Sequence, residues 1–246
     1  MQRLFAVAVL TFLFCACKTN DDTTIVVGNQ LIDEWKRPDD SLAFYFPRNS
    51  FHQKPKHDSF VQSWYGSALY NFNEPILHQS NIKHDVYRLL WLRSFENPVC
   101  ISIAKSEGVV WLTTKILDRQ PQFEDDYAGV YPGIDLRLYF NEGYMVDSSR
   151  TDMLVRKADR CANMIFDQTR MLSLKEWNKF ESMLREINYW EIAVYQIPTI
   201  SDGANWTIEA NVKEHYHFVS RPGSAYELGE AGKYLIKLSK LKERVY

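Results

Sequence analysis

Near the end of the chain, Asn205 to Asn211 (NWTIEAN) and His215 to Ser220 (HYHFVS) are two alternating segments joined by a short polar stretch. They bring a carboxylate, two imidazoles and, one step later, the guanidinium of Arg221 into one small region. On a strand, successive side chains point to opposite faces, so Trp206, Ile208 and Ala210 share one face and Thr207, Glu209 and Asn211 the other. Pairing apolar with apolar sets Ile208 against Phe218 and Ala210 against Tyr216. That register places Glu209 opposite His217 and Asn211 opposite His215, with a three-residue loop Val212-Lys213-Glu214. A carboxylate beside an imidazole can orient it and raise its basicity, which is the chemistry of a general acid–base pair, and Arg221 could clamp an anion nearby. Trp206, Glu209, His217 and Arg221 are thus the candidate binding face. The competing reading is a cross-strand charge pair on a solvated sheet surface, contributing under ~1 kcal/mol.

The other chemistry-bearing residues give less. His215 and His217 alone supply two ligands on one strand with no identified third, so no metal site is expected. Asp118, Glu124, Asp125 and Asp126 lack the ordered spacing of a calcium loop and read as a solvated acidic loop. Lys233, Lys237, Lys240 and Arg244 read as the solvated side of a helix. No G-x-S-x-G, phosphate-binding loop or H-E-x-x-H occurs, and no cofactor is expected. Cys100 and Cys161 are a candidate disulfide in an oxidising compartment, with two buried thiols as the alternative.

The chain opens on Met1-Gln2-Arg3, an apolar run from Leu4 to Phe14, and Cys15-Ala16-Cys17. A charged start, an apolar run too short for the ~20 residues of a membrane span and a closing cysteine are the layout of a bacterial lipoprotein leader. Residues 1–16 are therefore expected to be removed and Cys17 acylated. The alternative is an ordinary exported protein cut nearby. Two or more acyl chains hold a protein stably to a membrane. Residues 17–40 are polar and read as a flexible tether, leaving 41–246 as the globular part. Lys18 after the cysteine, with no Asp there, points to the outer membrane. Membrane attachment through the lipid, and an envelope protein or small ligand as partner, follow from this placement. A net charge of -2 lacks the basic surplus that nucleic acid requires.

The elements that must position these residues follow from spacing. Ser41 to Pro47 alternates as a strand, and His57 to Phe72 has helical spacing that Glu74-Pro75 breaks. Asp85 to Arg93 reads as a helix, or else as a buried strand. Val99 to Ile103 and Val109 to Leu117 form a hairpin around Ser106-Glu107-Gly108. Ile134 to Phe140 alternates as a further strand. Ser173 and Glu176 form a capping box, and Trp177, Phe180, Leu184 and Ile187 make the apolar face of the helix that follows. Tyr234, Leu235, Leu238 and Leu241 give a last amphipathic helix. Strands and helices do not alternate, so the expected class is a single α+β domain, mainly antiparallel sheet packed by several helices.

Tyr87 to Phe95 with Asn97-Pro98-Val99, Trp64-Tyr65 with Leu69 and Glu74-Pro75, Tyr131-Pro132-Gly133, and Leu172-Ser173 to Trp177 resemble segments of a family of uncharacterised bacterial lipoproteins. Asp202-Gly203 with Trp206, Ile208 and Glu209, then Tyr216-His217 and Arg221, extend the resemblance, which runs from about residue 60 onward. It implies a strand for Cys161 to Arg170, where spacing alone also allows a helix. It implies no activity. The function expected from the sequence is a non-catalytic, lipid-anchored binding or assembly module, with a small envelope hydrolase using Glu209 and His217 as the runner-up.

Overall fold

Two tight turns govern the sheet. Glu107 and Gly108 have φ of 49° and 81°, and Lys213 and Glu214 have φ of 52° and 64°. Positive φ at both central residues is what a two-residue hairpin turn of type I′ demands, because its twist matches the flanking strands. In this computed structural model, residues 37–39, 44–51, 55–79, 82–121, 162–196, 203–224 and 226–242 are described. The strands are β1 (Asp85–Arg93), β2 (Val99–Ser106), β3 (Val109–Leu117), β4 (Met164–Leu172), β5 (Ala204–Val212) and β6 (His215–Pro222). They form one antiparallel sheet in the order β4-β3-β2-β1-β5-β6. Among the described residues the helices are α1 (Pro55–Asn71), α2 (Leu174–Glu186) and α3 (Gly229–Ser239), and a 3-10 turn spans Tyr189–Glu191. This is the expected α+β arrangement.

Both faces of the sheet are covered. On one, Tyr87, Leu89, Trp91, Ile101, Ile103, Leu112, Trp206 and Ile208 pack against Trp177, Phe180 and Leu184 of α2 and Leu235 and Ile236 of α3. On the other, Leu90, Leu92, Cys100, Leu117 and Phe218 pack against Val61, Tyr65, Ala68 and Leu69 of α1, with Tyr45, Phe46 and Phe51 filling the gap. Double coverage explains β1. Every residue from Val86 to Arg93 is buried, so the strand shows no polar–apolar alternation. Its apolar positions fall at spacings a helix would also allow, and the strand alternative is the one realised.

Several expected elements appear where the spacing put them. The capping box is formed: Glu176 N–H donates to Ser173 Oγ at 3.3 Å and Ser173 N–H to Glu176 Oε2 at 2.7 Å. Both hairpins form, and the segment before α2, where spacing allows helix or strand, is the strand β4. The last helix begins earlier than expected, at Gly229, and stops before Leu241. Phe44 to Pro47, the described part of the first expected strand, is not a strand; its Tyr45 and Phe46 instead cap the core beside α1. Cys17, the 17–40 tether apart from residues 37–39, Cys161, Arg244, the Ile134 to Phe140 strand and most of the acidic loop lie outside the described residues. Among the described residues, no helix is long and apolar enough to cross a membrane.

Helix α3 is seated by close approach. A Cβ on Gly232 would lie 2.1 Å from Cζ3 of Trp206, a ring fully buried beneath it. Gly232→Ala must push the helix from the sheet or displace an indole from a packed core, at a cost of about 1–3 kcal/mol. Urea unfolding of the variant reads that cost as a lower midpoint; an unchanged midpoint would mean α3 is not held against Trp206.

Candidate functional site

The end of α1 builds the first half of the polar interior. Asn73 has a φ of 55°, and its N–H bonds Tyr70 O at 3.1 Å while Glu74 N–H bonds Leu69 O at 3.0 Å. That is a Schellman ending with asparagine in the left-handed position, and Pro75 prevents the helix from resuming. The turn delivers Glu74 to the sheet, where its side chain is 1% exposed.

Arg88 from β1 receives it. The Arg88 guanidinium donates Nη1 to Glu74 Oε2 at 3.2 Å and to the Pro75 carbonyl at 2.9 Å. Its Nε and Nη2 both donate to Glu209 Oε2 of β5, at 2.8 and 2.5 Å. Lys115 of β3 donates to Glu74 Oε1 at 2.7 Å and to the Phe72 carbonyl at 2.8 Å, placing a cation on the C-terminal end of α1. Tyr216 completes the set by donating its hydroxyl to Glu209 Oε1 at 3.0 Å. Two cations and two carboxylates thus neutralise one another inside the protein. Burial pushes the Glu74 carboxyl up, but Lys115 and Arg88 outweigh it and hold the group below its usual range. At Glu209 burial prevails and raises the pKa, with Arg88 and the Tyr216 hydroxyl opposing. Cys100, a free buried thiol near this cluster, is pushed up chiefly by burial.

The last hairpin departs from the expected register by one residue. Its turn is the two-residue Lys213-Glu214, so Val212 pairs with His215, Ala210 with His217 and Glu209 with Phe218. Glu209 therefore points to the α1 side of the sheet and His217 to the other side. The expected Glu209–His217 and Asn211–His215 pairs do not form. Nor do the four candidate face residues make an open face. Trp206 and Glu209 are fully buried, and Arg221 is 3% exposed with its Nε donating to Glu227 at 2.9 Å. Apolar matching misled because the face beneath α1 carries Glu209 and Asn211 in its interior beside Phe218. The missed members, Glu74, Arg88 and Lys115, had one signal in sequence: isolated charges within otherwise apolar or β-branched segments.

His217 opens instead onto a groove of about 610 Å³ between α2 and the β5–β6 turn. Asn188, with a φ of 51°, turns the chain out of α2 so that the following 3-10 turn presents Trp190, 39% exposed, to this groove. Tyr87, Leu184 and Val212 form a buried apolar floor; Glu181, Arg185, Lys213 and His215 stand around it. Tyr87 donates its hydroxyl to Glu181 at 3.4 Å. The His217 ring lies edge-on to Tyr189, with centroids 5.2 Å apart, and 5.9 Å from Trp190. Burial holds its pKa below the ordinary histidine value, against the opposing carbonyls of Ile192 and Tyr189. Among the described residues, no group of three or more His, Cys, Asp or Glu side chains is arranged to hold a metal. No family model matches the chain, and neither does any curated protein or solved structure.

Two outcomes follow from this geometry. Arg88→Met strands Glu209 and part of Glu74 without a partner in the interior, so a loss of about 3–5 kcal/mol is expected on denaturant unfolding; a loss under about 1 kcal/mol would show that the network contributes little. For His217, the unfolded chain takes up a proton before the folded one does. Stability from the neutral ring is therefore present above the ordinary histidine pKa and lost as pH falls through and below it. His78, also depressed chiefly by burial, adds in the same direction. Between pH 7 and 5 the unfolding midpoint of His217→Asn should fall less than that of the wild type, and parallel profiles would remove His217 as a contributor.

Proposed function

We propose that this chain is a non-catalytic binding module of the bacterial cell envelope, exported, acylated at Cys17 and held by a polar tether at the outer membrane, with the groove beside α2 as its ligand seat. One observation carries the non-catalytic reading: Glu209 and His217 leave their strands on opposite faces. Glu209 is committed to Arg88 and Tyr216 with no exposed surface, so it has no route to a substrate proton. The groove supports a binding role, with an apolar floor, a few charged groups around it and a volume in the ~300–1,000 Å³ range of small-molecule sites. The lipid anchor rests on the leader-like start and its closing cysteine.

Fractionation tests the anchor. Cys17→Ala should move the protein from the membrane to the soluble fraction, and retention would count against acylation. Affinity capture of the acylated protein from native membranes tests the seat: Trp190→Ala should lose the species that co-purifies with the wild type. Hydrolytic turnover in a broad ester, amide and glycoside screen, abolished by His217→Ala, would replace this reading with that of an enzyme.

A further inference from the structure

The rim of the groove carries an imbalance that points to a ligand class. Arg185 on α2 and Lys213 in the β5–β6 turn both line it, both are exposed, and neither forms an ion pair among the described residues. Most interior and many surface charges of this protein are matched: Arg88, Lys115, Arg93, Arg221, Lys105 and Lys233 all have carboxylate partners. Glu181, the one carboxylate among the lining residues, already accepts from the Tyr87 hydroxyl. Beneath these charges lie the side chains of Leu184, Val212 and Tyr87, and beside them the exposed indole of Trp190.

Each part selects a feature of the occupant. An apolar floor with an aromatic wall favours a flat, hydrophobic body, because ring faces stack with offset at low conformational cost. A guanidinium and an ammonium without an ion-pair partner among the described residues favour an anionic group, which a charge-assisted hydrogen bond holds more strongly than a neutral one. Their exposure makes that attraction sensitive to salt. A nucleic acid is a poor match, since its binding needs a far larger basic surface than two cations on the rim of a small groove.

We propose that the groove binds a small amphipathic carboxylate, its flat apolar body against Trp190 above Tyr87, Leu184 and Val212 and its anionic end held by Arg185 and Lys213. This rests on the groove being the ligand seat, and it adds the chemistry of what sits there. The occupant is neither transformed nor covalently attached.

Calorimetric titration of the unacylated full chain (Cys17→Ala) with 2-naphthoate and with its neutral isostere 2-naphthamide tests the class apart from the seat. The expected result is saturable binding of the naphthoate at one site and at least tenfold weaker binding of the amide. Arg185→Gln with Lys213→Gln should abolish that preference, Trp190→Ala should weaken both probes, and raised salt should weaken the naphthoate alone. The substituted residues are exposed, and thermal unfolding checks that each variant is folded. Equal binding of both probes, unaffected by the charge substitutions but lost in Trp190→Ala, would overturn the anionic class and leave the seat standing. Absence of binding by either probe, or binding indifferent to Trp190→Ala, would overturn both.

Discussion

Arg88 sits in the middle of the sheet with no exposed surface, and its guanidinium decides how three separate parts of the chain meet. Two of its nitrogens grip one oxygen of Glu209, 121 residues away, and a third reaches Glu74 just past α1. Lys115 then ties Glu74 to β3. A buried guanidinium without partners is costly in a low-dielectric interior, so every competing arrangement must match it as well. Slipping β5 by one residue would carry Glu209 to the opposite face and leave Arg88 facing an apolar neighbour. The network therefore specifies register and the docking of α1, whatever its net contribution to stability.

That specification reaches the surface through β6. Because Glu209 is drawn to the α1 side, Ala210 and its neighbour across the ladder, His217, must face the α2 side. The two-residue turn fixes the same parity independently, through the left-handed conformations of Lys213 and Glu214. Ion network and turn agree, and their agreement delivers His217, Lys213 and His215 to the groove rather than to the interior. The exposed groove is in this sense a consequence of a buried charge pair on the other side of the same strand.

Local signals survived folding wherever short-range hydrogen bonding dominates. The Ser173–Glu176 box, the Glu107-Gly108 turn and the stop at Glu74-Pro75 are satisfied by groups within a few residues, so nothing distant could overrule them. Readings that relied on one face being solvated failed. β5 buries Glu209 and Asn211, whose Nδ2 donates to the Leu77 carbonyl at 2.7 Å. A polar residue in these strands marks a partner arriving from elsewhere in the chain rather than contact with water. Of the proposed site, His215 and His217 stand out in the sequence by type, whereas Arg185 and Trp190 carry no such signal.

The class of the fold, the two hairpins and the capped helix were settled by the order of residues, because each depends on the pattern of short windows. Which face each side chain of the last hairpin occupies was not. That parity is set by a turn two residues long and by a charge finding its counterion across the sheet, and the second is decided only when Glu74, Arg88, Lys115 and Glu209 come together from four distant segments. Tertiary assembly thus joins the turn in separating Glu209 from His217, since desolvating Arg88 is tolerable only with that carboxylate beside it.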